Sequence, residues 1–158
     1  MTRRRLRIDR VIARALASRS AALDRAGITV VRHFPESLPS VTGDPLLLQQ
    51  AFLNILINAE HAIDSATGPR VIETSASVGG NNDVVATIRD TGTGIPADVL
   101  PRIFDPFFST KEVGKGTGLG LAITYGIVQE HDGTIQASNA PDGGAVFTIA
   151  FPVSAEVK

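Results

Sequence analysis

Two asparagines one helical turn apart, Asn54 and Asn58, share a segment of helical periodicity with His61. At ~100° per residue, Asn58 lies about 40° from Asn54 and His61 about −20°, so the three form a polar stripe. Leu48, Phe52, Ile55, Ala59 and Ile63 form a separate apolar stripe, between about 100° and 180° on the same wheel. Asn is a poor residue for a helix interior because its amide competes for backbone hydrogen bonds. Two of them at i, i+4 suit a solvated face. They equally suit a pair of neutral amide oxygens beside a phosphate-bound Mg²⁺, an ion that takes oxygen ligands and is held by few protein groups plus phosphates.

Two glycine clusters carry further chemistry. Asp90-Thr91-Gly92-Thr93-Gly94-Ile95 directly follows a run of strand character. It reads as an Asp-started turn. It also reads as a base pocket, in which the carboxylate accepts from the exocyclic amine of adenine and repels the keto group of guanine. Gly114-Lys115-Gly116-Thr117-Gly118-Leu119-Gly120-Leu121 opens a helix. Free N–H groups and the helix dipole favour anions there, so the run is either a hinge or a phosphate cradle. It is neither a Walker loop nor a dinucleotide fingerprint, because the Gly-Lys-Ser/Thr ending and the leading strand are both missing. Between the clusters, Phe104, Phe107 and Phe108 fall within five residues of a turn-rich stretch. That much apolar surface must dock, as ordinary core or as the anchor of a lid closing over ligand. Lys111 and Lys115 flank the phosphate end, where a point charge is useful.

The elements that must position these groups follow from periodicity and punctuation. Residues 8–26 predict a helix stopped by Gly27, and residues 28–34 a strand. Asp44-Pro45 caps a helix running to about residue 65. Strands are expected near 71–78 and 83–89, a short helical stretch near 97–103, a third long helix over 118–131, and closing strands at 133–138 and 145–151. The order implies one mixed sheet with helices packed on one face. The stretch 90–117 far exceeds the usual loop of ~4–6 residues, so it is either functional or wrongly assigned as loop.

At 158 residues, 43% hydrophobic and 20% charged, the chain has the makeup of one folded domain. The absence of Cys excludes disulfides, Cys-ligated metal sites and a thiol nucleophile. No apolar run approaches the ~20 residues of a membrane span. The formal charge of −1 hides an asymmetry: residues 1–35 carry nine Arg against Asp9 and Asp24, and the remainder is acidic. These Arg alternate with Ile8, Val11, Ile12, Leu16 and Leu23, as on the solvated side of an amphipathic helix, so nucleic acid is not the expected partner.

The set Asn54-x-x-x-Asn58-Ala59, Asp90-x-Gly92-x-Gly94, Phe104-Asp105-Pro106-Phe107-Phe108 and Gly116-Thr117-Gly118-Leu119-Gly120-Leu121 closely resembles the catalytic and ATP-binding domain of bacterial sensor histidine kinases. In that family these are the N box, first glycine box, F box and second glycine box. The likeness covers roughly residues 5–153 and includes the closing Gly144-x-x-Phe147-x-Ile149-x-Phe151-Pro152. It extends to the superfamily of gyrase, Hsp90, MutL and histidine-kinase ATPases. It implies a Bergerat-type ATP-binding fold in a single domain over 1–158. That fold is an α/β two-layer sandwich (α+β), with a mixed five-stranded sheet and three helices on one face.

The resemblance also implies roles. Asn58 would coordinate Mg²⁺, Asn54 would support the phosphate side, and Lys111 would be a lid cation, the three forming the catalytic set. Asp90 would bind the adenine amine, with Gly92, Gly94, Ile95 and Phe104 around the base and a Thr148 hydroxyl near the carboxylate. Lys115, Gly116, Thr117, Gly118, Leu119, Gly120 and Leu121 would wrap the phosphates. Relatives vary at the position of His61, so a phosphate contact and a solvated polar face both remain open.

His33, His61 and His131 all lack the acid-and-proline context of the family's phosphoacceptor. The expectation is therefore an excised cytoplasmic catalytic domain, monomeric by itself, without a sensor or membrane segment. It would bind Mg-ATP and donate the γ-phosphoryl group to a histidine on a separate dimerisation hairpin, with a response regulator downstream. Asn54 stands where gyrase-type hydrolases carry a Glu, which predicts slow ATP turnover. Two alternatives are a serine kinase of the same superfamily acting on a regulatory partner, and a non-catalytic nucleotide-binding module.

Overall fold

The computed structural model describes residues 2–105 and 120–155. The region that carries Phe107, Phe108, Lys111, Lys115, Gly116, Thr117, Gly118 and Leu119 lies outside them.

The chain opens with a short strand, β1 (Arg4–Leu6), followed by helices α1 (Ile8–Ser18) and α2 (Ser20–Arg25). The single helix expected over 8–26 is thus two. Ser18 turns its hydroxyl back to the Ala15 carbonyl at 2.8 Å, and Arg19 takes a non-helical ψ of 5°. The break aims Arg19 at Glu60, which it grips through two bonds of 2.9 and 2.7 Å. Glu60 is thereby buried as one half of an ion pair that also raises the Arg19 pKa, chiefly through that hydrogen bond.

Strands β2 (Thr29–His33) and β3 (Val41–Gly43) precede the long helix α3 (Pro45–Asp64). Asp44 caps α3 as expected, its Oδ1 accepting from the Leu46 and Leu47 N–H groups at 3.0 and 3.2 Å. Leu48, Phe52, Ile55, Ala59 and Ile63 are all buried, so the apolar stripe faces the core. Strands β4 (Val71–Val78) and β5 (Asp83–Asp90) form the expected hairpin, and a single 3₁₀ turn at Leu100–Arg102 stands where the short helix was expected. The described part of the third long helix is α4 (Gly120–Glu130), followed by β6 (Thr134–Asn139) and β7 (Ala145–Pro152).

The five-stranded sheet has the order β2-β4-β5-β7-β6, parallel at β2–β4 and antiparallel elsewhere. Its inner face is read from the alternation of burial. Ile72, Thr74 and Ala76 on β4, Val84, Ala86 and Ile88 on β5, and Phe147, Ile149 and Phe151 on β7 are buried under the helices. The same period of two carries Asp90 and Ala145 to that inner face. It carries Thr148, which pairs with Thr87 and Gln136, to the outer one.

Sequence reading missed a second, two-stranded sheet of β1 and β3. Beside it, the buried His131 joins two helix ends. Its Nδ1 donates to the Ile127 carbonyl at 2.7 Å, and its Nε2 accepts from the Asp44 N–H at 3.0 Å. This is a neutral imidazole with both nitrogens satisfied, the tautomer being fixed by its partners. Among the described residues no helix is long and apolar enough to cross a membrane.

Candidate functional site

A cleft of 530 Å³ opens between the C-terminal half of α3 and the loop that leaves β5. Asn58, His61 and Ala62 form part of its helical wall. Thr93, Gly94, Ile95 and Pro96 form the facing loop, with Val99 and Ile103 beyond. Asp90 and Ala145 lie at the strand ends. Asn58 and His61 of the polar stripe therefore meet Asp90, Thr93, Gly94 and Ile95 of the first glycine cluster in one cavity.

Asp90 is 1% exposed. Its Oδ1 accepts from the Gly92 N–H at 2.8 Å and the Ala145 N–H at 3.3 Å. Its Oδ2 has no hydrogen-bond partner among the described residues. Burial pushes the carboxyl above its ordinary range, and the two N–H donors offset that push only in part. An acceptor oxygen held rigidly by its twin, at the edge of a partly apolar cavity, is suited to a ligand N–H donor.

Two glycines are required by close approach. A Cβ on Gly92 would stand 2.6 Å from the Ala62 backbone, so this glycine lets the loop lie against α3. A Cβ on Gly144 would stand 1.9 Å from the Asp90 carbonyl oxygen, at a φ of +82°. That contact brings the Ala145 N–H to the carboxylate. Thr91 fastens the start of the loop, its hydroxyl donating to the Pro69 carbonyl at 2.6 Å and accepting from the Val71 N–H at 2.9 Å.

The remaining expected residues divide. Asn54 is outside the cavity wall. Its Nδ2 donates to the Gly120 carbonyl at 3.1 Å and its Oδ1 accepts from Gln50 at 2.8 Å, so it ties the first described residue of α4 to α3. Gly120 and Leu121 therefore sit beside the helix that lines the cleft. Phe104 is partly buried and packs its ring against Phe147 and Tyr125, at centroid distances of 6.3 and 5.6 Å. The hydroxyl expected beside Asp90 is not supplied by Thr148, which the strand's alternation turns to the far side of the sheet. The β7 residue beside the carboxylate is Ala145, three positions earlier, and it offers a backbone N–H.

One residue had no signal in the sequence. Asn139, at the end of β6, donates from Nδ2 to the Ile95 carbonyl and accepts at Oδ1 from the Ile95 N–H, both at 2.7 Å. The partners are 44 residues apart, and nothing local to Asn139 announces the pairing.

A helix-covered mixed sheet with its cavity between a helix and the loop of a central strand has the architecture of a histidine-kinase catalytic domain. A structure of the catalytic domain of the histidine kinase ThkA matches it with a TM-score of 0.83 at 25% identity, covering 98% of this chain and 100% of that one. The mycobacterial sensor histidine kinase MprB matches with a TM-score of 0.79, also at 25% identity, over 98% of this chain and 100% of that one. The chain belongs to the family of histidine kinase-, DNA gyrase B- and HSP90-like ATPases, whose sequence profile matches residues 43–155. Sensor histidine kinase ZraS of Klebsiella oxytoca is 39% identical over 143 residues, 90% of this chain and 29% of that protein. Sporulation kinase A of Bacillus subtilis is 33% identical over 147 residues, 93% of this chain and 23% of that protein. The chain thus spans about a quarter of the length of these curated relatives.

Proposed function

We propose that the cleft binds Mg-ATP and that the domain donates the γ-phosphoryl group to a histidine on a separate dimerisation hairpin in two-component signalling. The observation that carries this reading is Asp90, with one oxygen fixed by two N–H groups and the other left for the N–H donor of adenine. Asn58 and His61 lie on the helical wall, on what would be the polyphosphate side. An Asn carbonyl suits Mg²⁺ there because it adds no negative charge beside the phosphates. The ion would rest on Asn58 and the nucleotide's own oxygens. Bound Mg²⁺ would neutralise charge on the phosphates.

Phosphoryl transfer demands positioning and charge neutralisation more than covalent work by the protein. A neutral imidazole is already a nucleophile, so no strong base is needed from this chain. Its own residues would orient the base at Asp90 and hold α4 against α3 through Asn54. By the sequence resemblance, Lys111, Lys115 and the glycines from Gly116 to Gly120 would serve the phosphate side. The test is to titrate ATP with and without Mg²⁺, then add a purified histidine-bearing hairpin and assay acid-labile phosphate. Labelled hairpin is expected. Binding of ATP with acid-stable phosphate on a serine-bearing partner instead would replace this reading with a serine kinase.

A further inference from the structure

We infer that Asn139 is a positioning residue that sets the base preference of the cleft by clamping Ile95. This rests on the reading of Asp90 as the contact for adenine. A primary amide offers a donor and an acceptor side by side, so it can pair with both backbone groups of one residue as a neighbouring strand would. Asn139 does this with the N–H and carbonyl of Ile95. Gly94 accommodates it: the glycine has a φ of +77°, and a Cβ there would stand 3.0 Å from Asn139 Oδ1.

The clamp holds the backbone of Ile95, whose side chain is buried in the core. Upstream, Gly92 is bound to Asp90 and the Thr93 N–H reaches the Ala62 carbonyl at 3.3 Å. Downstream, Pro96 has no N–H to offer, and the chain turns, with the Val99 N–H on the Pro96 carbonyl at 2.9 Å. Among the described residues both backbone bonds of Ile95 go to Asn139. Ile95, Pro96 and Val99 line the cleft, whereas Asn139 is exposed and does not. It therefore acts through Ile95, by fixing how far this wall stands from Asp90. Asn58, on the polyphosphate side, lies on α3, outside this clamp.

The test compares the wild-type chain with Asn139→Ala and Asn139→Asp. Mg-ATP and Mg-GTP are titrated by calorimetry, and amide hydrogen exchange is followed at Ile95. In Asn139→Ala, ATP affinity is expected to fall roughly tenfold, equivalent to about 1.4 kcal/mol. GTP affinity should change less than about twofold, and the Ile95 amide should exchange faster. Asn139→Asp keeps an acceptor for the Ile95 N–H but sets a carboxylate oxygen against the Ile95 carbonyl. It should lose ATP affinity while Ile95 stays protected. An unchanged ATP-to-GTP ratio in both variants, through equal losses or none, overturns the inference. If the wild-type chain binds neither nucleotide, the reading of Asp90 fails instead, and exchange at Ile95 alone reports whether the clamp exists.

Discussion

Replacing Asp90 with Asn separates recognition from folding. The Asn Oδ1 can still accept from the Gly92 and Ala145 N–H groups, so the loop keeps its anchor. What changes is the second position, where an acceptor oxygen becomes an NH₂ donor. Adenine's amine would then meet a donor. The loss of a hydrogen bond to a charged group costs about 2–3 kcal/mol, a roughly 30- to 150-fold rise in the Kd for ATP. The same NH₂ complements the keto oxygen of guanine, so the preference for ATP over GTP should narrow. Stability should move the other way. The folded-state pKa of Asp90 lies above the ordinary value of 3.8, because burial disfavours the charge. The folded protein therefore binds more protons than the unfolded chain between the two values. The wild type loses stability as pH rises through that window. Asp90→Asn has no such penalty, and should unfold at or above the wild-type temperature at pH 7, the advantage vanishing below 3.8. Calorimetric titration and thermal unfolding at several pH values test both halves. A change in ATP affinity below about threefold, or a neutral-pH midpoint well below wild type, would refute the reasoning.

Three other outcomes follow from the same geometry. Asn58→Ala should weaken the Mg²⁺ dependence of ATP binding by about tenfold or more while metal-free affinity holds, as measured by titration across Mg²⁺ concentrations. Gly144→Ala forces a Cβ against the Asp90 carbonyl at a left-handed φ. Overpacking of this kind costs about 1–3 kcal/mol and should lower the midpoint by several degrees. Asp44→Ala removes the cap of α3, and Asp44 has a lowered pKa, mainly through its hydrogen bond from the Leu47 N–H. Its contribution is present above 3.8 and lost as pH falls through the folded-state value, so the two proteins' midpoints should differ at neutral pH and converge in acid.

The three histidines take three different places in the fold. His131 is buried and committed through both ring nitrogens, so it offers no nucleophile to a phosphate. His33 lies on the edge strand β2, and His61 on the wall of the cleft.

Periodicity and local chemistry determined much of this protein in advance. The stripe from Leu48 to Ile63 had to be buried because a helix has one apolar side. Asp44-Pro45 had to start that helix because the carboxylate and the ring satisfy its first turn. Alternation along Val84, Ala86 and Ile88 carries Asp90 inward, but the resemblance set Thr148 beside it, and alternation from the buried Phe147 turns Thr148 outward. What only the tertiary structure decided was every pairing that joins distant segments. The break falls at Arg19, where the fold brings Glu60 within reach of its side chain. The strand pair β1–β3 is too short to show a period. Asn54 binds Gly120, and Asn139 binds Ile95, because packing brings those backbones together. A side chain's type limits which bonds it can make, but its partner is chosen by the fold.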